Sequence, residues 1–67
     1  MSAVQVGNQV VTVTDFGTVE GIAAVNPKVA IAIALRAYPA GKGMKVSIRH
    51  IGEGHWSVTF QPKGGMY

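Results

Sequence analysis

Apolar and polar residues alternate in several places along these 67 residues, and one segment alternates without the residue types that usually accompany it. In VQVGNQVVTVT, residues 4 to 14, Gly7 and Asn8 both tolerate positive φ, which a two-residue hairpin loop favours. Folding there sets Val6 opposite Gln9 and Val4 opposite Val11. One face then carries Val4, Val6, Val11 and Val13, and the other Gln5, Val10, Thr12 and Thr14. That is the pattern of a sheet covered on one side. The competing reading is a single strand over 9 to 14 after a loose start.

The C-terminal third alternates more clearly. Lys45 to Ile51 and Trp56 to Gln61 both read as strands, with GEGH between them as turn. Pairing apolar with apolar puts Val46, Ile48, Trp56, Val58 and Phe60 on one face. Lys45, Ser47, Arg49, Ser57, Thr59 and Gln61 then share the other.

NPKVAIAIALRAYPAG, residues 26 to 41, is the ambiguous segment. Val29, Ile31, Ile33 and Leu35 alternate with alanines, as in a strand. Yet alanine is depleted in strands, and the ends carry helix signals. Asn26 is a favoured N-cap and Pro27 a favoured first residue. Arg36 suits the negative end of the helix dipole. Tyr38 precedes Pro39 and is pushed out of the helical region. These signals predict a helix over 27 to 38, apolar on most sides and therefore buried.

DFGTVEGIAAV, residues 15 to 25, reads either way. Asp15 or Thr18 could cap a short helix with Val19, Ile22 and Val25 on one side, although Gly17 and Gly21 disfavour it. A strand over 18 to 25 after a turn at 15 to 17 is the other reading.

The resulting fold class is α+β: a three- or four-stranded antiparallel sheet with one helix packed on one face. A small SH3-like β-barrel is the alternative, if 18 to 25 and 28 to 35 are both strands. The expected structural core is Val46, Ile48, Trp56, Val58 and Phe60, joined by Ile33 and Leu35. The chain reads as one domain over 1–67, with 62–67 (PKGGMY) a flexible tail.

Composition adds a hint about partners. A chain this short buries only about 60% of its unfolded surface. It has no cysteine, hence no disulfide and no thiolate metal site. Charged residues make up 13% against a typical fraction of about 25%, while hydrophobic residues reach 48%. Part of the surface must then be apolar, including Val10 and Ile51 on the expected polar faces. This favours a homodimer or docking on a larger host protein.

Charge is unevenly placed. Residues 1 to 26 hold Asp15 and Glu20 and no Lys or Arg, giving −2; the remainder holds six basic residues and Glu53, giving +5, and the sum is the net +3. Lys42, Lys45, Ser47, Arg49, Ser57, Thr59, Gln61 and Lys63 are the candidate surface for an anionic partner, since Lys and Arg neutralise phosphates and Ser, Thr and Gln donate to them. Nucleic acid is accordingly the alternative partner.

Catalysis and metal binding find little support. Asp15, Glu20 and Glu53 are far apart in the chain, and nothing brings Ser57, His50 or His55, and Asp15 within reach of one another. His50 and His55 alone do not complete a structural zinc site. GKG at 41 to 43 follows the expected helix instead of preceding one, so it is no phosphate loop. No catalytic residue, metal ligand, cofactor or small-molecule substrate is expected. MSAVQVGNQ lacks a basic, apolar leader pattern. The longest apolar run, Val29 to Leu35, has seven residues, well below the roughly 20 needed to cross a bilayer. The expectation is a cytoplasmic, non-enzymatic interaction or regulatory module.

Overall fold

A computed structural model describes residues 1–62. The expected tail therefore lies outside the described residues, apart from Pro62. Five strands and one helix follow in order: β1 (Ser2–Val6), β2 (Gln9–Val13), β3 (Thr18–Ala23), α1 (Pro27–Ala37), β4 (Lys45–Gly52) and β5 (His55–Gln61), with a short 3-10 turn at Pro39–Gly41 before β4. The strands form one sheet in the order β1-β2-β3-β5-β4. Each neighbouring pair is antiparallel. Since β3 and β4 both run against β5, they are parallel to each other, and α1 carries the chain across between them.

The α+β class and the single covering helix match expectation, but the sheet has five strands instead of three or four. The N-terminal hairpin is complete, which accounts for four strands with the C-terminal hairpin, and residues 18–23 add the fifth. The hairpin pairs Val6 with Gln9 and Val4 with Val11, the expected register. Only its Gly7 takes positive φ, at 62°, so the loop resembles a II′ turn.

β3 carries the main irregularity. Val19 pairs with Val58 and Ile22 with Trp56, so three steps along β3 match two along β5. This bulge admits one extra residue and turns both Val19 and Ile22 inward. Gly21 adopts φ 76° within it, a conformation glycine reaches without steric penalty. Past the bulge the β2–β3 ladder is continued by a side chain. The Nε2 of Gln9 donates to the Ala23 carbonyl at 3.0 Å, and its Oε1 accepts from the Ala23 N–H at 2.9 Å. The amide thereby takes the place of a peptide group.

The helix starts and stops where the sequence signals fall. Asn26 Oδ1 accepts from the Val29 N–H at 2.9 Å. Tyr38 leaves helical geometry at φ −136° ahead of Pro39. This rules out the strand reading of 28 to 35 and with it the barrel.

The core lies between α1 and one face of the sheet. Val6, Val11, Val19, Ile22, Ala30, Ala34, Val58 and Phe60 are buried. Its centre is therefore displaced from the expected set. Val58 and Phe60 belong to it, whereas Ile48, Trp56, Ile33 and Leu35 are only half-buried around it. The small side chains of Ala30 and Ala34 form the stripe of α1 that faces the sheet, and the larger Ile33 and Leu35 flank it. Val46 is 38% exposed. The cause is topological: α1 packs against β1, β3 and β5, and β4 extends beyond its edge.

Candidate functional site

Two surfaces of the C-terminal hairpin are distinguished by the sheet. The first is the face away from the helix. The register pairs Lys45 with Gln61, Ser47 with Thr59 and Arg49 with Ser57, so six of the eight candidate residues share that face. Lys42 is exposed but stands off the sheet, at the end of the 3-10 turn. Lys63 lies outside the described residues.

The face is less basic and less available than the sequence suggested. Thr18, the partner of Thr59 on β3, shares a hydroxyl–hydroxyl hydrogen bond with it at 3.2 Å. Ser57 is buried. Glu20, paired with Thr12 on the outward side of β3, is exposed on the same face. Two cations and one anion leave a single net positive charge there.

The second surface is the free edge of β4 together with its helix-ward side chains. β4 ends the sheet. Val46, Ile48 and His50 point toward the helix side, opposite Phe60, Val58 and Trp56. α1 packs chiefly on β1, β3 and β5, and on β4 Val46 and His50 are exposed while Ile48 is half-buried at the core's margin. His50 stacks on Trp56, ring centroids 4.3 Å apart and planes 19° apart. The Trp56 Nε1–H donates to the Ala24 carbonyl at 3.0 Å, which fixes the indole that His50 rests on. A second, inner stack joins Tyr38 to Phe60 at 5.7 Å.

The orientation of the backbone follows from one hydrogen bond. The Phe60 N–H donates to the Gly17 carbonyl at 2.8 Å, toward β3. Backbone groups of successive strand residues point to opposite sides. Thr59 and Gln61 therefore aim theirs at β4, and Ser47 and Lys45 return them. It follows that Val46, Ile48 and His50 present their N–H and C=O groups outward from the sheet. Such an edge is a template for a further strand.

The remaining chemistry-bearing residues are dispersed. His50 faces the helix side and Ser57 the opposite side, while Asp15 takes the terminal ammonium of Met1 at 3.1 Å in the β2–β3 turn. The His55 Nδ1 lies 2.7 Å from the Glu53 carbonyl, inside its own turn. Among the described residues there is no group of three His, Cys, Asp or Glu side chains able to hold a metal, and no cavity. No helix among them is long and apolar enough to cross a membrane.

Sequence reasoning identified the residues of β4 but not their situation. Strand order decides which strand is an edge, and nothing in LysValSerIleArgHis encodes it. Comparisons with family models, curated proteins and solved structures give no match.

Proposed function

We propose that this chain is a non-catalytic protein-binding module of the cytoplasm that takes up a partner polypeptide along the edge of β4. The observation that carries this reading is the uncovered side of that strand. Val46 and Ile48 share a face with the core, Val46 exposed and Ile48 half-buried at its margin, beside an outward row of backbone donors and acceptors. A partner strand laid there would gain main-chain hydrogen bonds from the edge and specificity from the apolar side chains next to it. The low charged fraction of 13% points the same way.

The test is site-specific photo-crosslinking in the cell that makes the protein. A photoreactive residue at position 48 should give discrete polypeptide adducts, and one at position 10, on the opposite face, should not. Equal labelling at both positions, or none at 48, removes the reading.

A second reading, binding of nucleic acid by the opposite face, is favoured by the placement of Lys45 and Arg49 together on it. Glu20 weakens it. Phosphate-driven binding must fall steeply with salt, and a duplex that binds with little salt dependence, or fails to bind at low salt, argues against it.

A further inference from the structure

Resting on the protein-binding reading above, we infer that the partner at β4 is a second copy of this chain, paired antiparallel about a two-fold axis through Ile48. The pairing joins Val46 to His50 of the other copy, Ser47 to Arg49, and Ile48 to Ile48.

Three constraints select this register. The first is hydrogen-bond phase. Only Val46, Ile48 and His50 direct backbone groups outward, so each must oppose another of these three. The second is straightness. A register shift between His50 and Gly52 ends the regular ladder near Ile51, which confines pairing to Lys45 through His50. The third is charge. Centring the axis on Ser47 faces Lys45 with Arg49 of the other copy, twice. Centring it on Arg49 faces that arginine with itself. Like charges directly opposed are destabilising. Centring on Ile48 gives Arg49 a serine opposite and leaves no like pair.

Self-pairing also accounts for what is exposed. On the helix side, Val46, Ile48 and His50 meet the same sequence reversed, so the strip that α1 leaves bare is continued by its own copy. The other edge differs: on β1 the helix-side Val6 is already buried, and α1 packs on that strand. Pairing β4 with β1 of another copy is head-to-tail, and leaves free edges that add further copies until a ring closes or a filament grows. The β4–β4 arrangement closes at two copies.

The experiment uses the full chain, whose lack of cysteine makes any introduced thiol unique. Non-hydrogen-bonded partners lie about 4.5 Å apart at Cα, inside the roughly 4.4–6.8 Å that a disulfide spans. Diagonal neighbours at about 7–8 Å fall outside it. S47C mixed with R49C should therefore oxidise to a mixed dimer identified by mass, whereas S47C alone should stay reduced. Both positions are exposed, and far-UV circular dichroism checks that the variants remain folded. Light scattering of the unmodified protein should give twice the chain mass of 7.0 kDa. A chain that stays monomeric at every concentration overturns the inference. So does S47C that closes readily on itself, since this is the Ser47-centred register. Adducts at position 48 to a different polypeptide, with a monomeric purified protein, would leave the protein-binding reading standing and this one refuted.

Discussion

His50 lies flat on Trp56 across the β4–β5 ladder, with ring centroids 4.3 Å apart. The indole is tethered beneath it by the Ala24 carbonyl. Trp56 thus links the β3–α1 connection to the sheet's exposed margin. Removing it takes away a large half-buried ring, a hydrogen bond and the support of His50. Trp56→Ala should lower stability by about 3 kcal/mol, the low end of the range for buried aromatic truncation. Trp56→Phe keeps a ring under His50 and loses the indole N–H, costing about 1 kcal/mol. Urea unfolding followed by far-UV circular dichroism distinguishes them. Equal stability of Trp56→Ala and the parent would contradict this role.

Gln9 gives a second prediction. Its amide makes two hydrogen bonds with the Ala23 backbone where the β3 bulge has parted the strands. Gln9→Ala frees a strand end and should cost about 1–2 kcal/mol, reduced by solvent access at this site. Gln9→Glu keeps the acceptor but cannot donate to the Ala23 carbonyl, so it should cost nearly as much at neutral pH. Hydrogen exchange at the Ala23 amide should quicken in Gln9→Ala and much less in Gln9→Glu, whose carboxylate still accepts from it. Unchanged protection of that amide in Gln9→Ala would show that the bond does not persist in solution.

The glycines around Phe60 give a third. A Cβ on Gly41 would lie 2.6 Å from the Phe60 ring, and one on Gly17 would lie 2.8 Å from the Phe60 carbonyl oxygen. The ring can shift more readily than the backbone. Gly17 also sits at φ 81°, which an L-residue adopts only with strain. Gly17→Ala should therefore be the more damaging, and Gly41→Ala should cost about 1–3 kcal/mol by overpacking. Thermal unfolding of the two variants tests the order, and a reversed ranking would mean that the 3-10 turn, not the β2–β3 turn, is the more rigid side of Phe60.

Two segments show what was legible in the sequence and what was not. Residues 27–37 have the alternation of a strand but fold as a helix, and the N-cap at Asn26 and the Tyr38-Pro39 stop revealed it. In residues 18–23 the reverse happens. Val19 and Ile22 stand three apart, a helical spacing, because a bulge lets both face inward. Gly21 was the only local sign of it. The faces of both hairpins followed from period-two alternation, which depends on neighbours along the chain. Strand order, and hence the exposure of Val46 at an edge, depends on how α1 crosses the sheet. That is set by contacts distant in sequence, so the expected core included Val46 and omitted Val6, Val11, Val19 and Ile22.

The last prediction concerns the charges flanking Ile48. In the self-paired sheet they act mainly by opposing the wrong alignments, so inverting one should redirect the pairing. Arg49→Glu makes Lys45 and residue 49 of the other copy attractive, twice over, when the axis passes through Ser47. That register keeps Val46 and Ile48 in hydrogen-bond phase but leaves His50 without a partner, so it has two hydrogen-bonded pairs where the parent alignment has three. The parent alignment, by contrast, loses only a contact with a neutral serine. Oppositely charged cross-strand pairs contribute roughly 0.2–1 kcal/mol each, so two of them offset much of that difference and populate the Ser47-centred register, which oxidation then traps. S47C in the Arg49→Glu background should then oxidise to a symmetric dimer, whereas S47C in the parent should not. The effect should fade as salt screens the exposed charges. If S47C remains unbridged in both backgrounds while the protein stays dimeric, the charges do not set the register, and the additional hydrogen-bonded pair that His50 makes does.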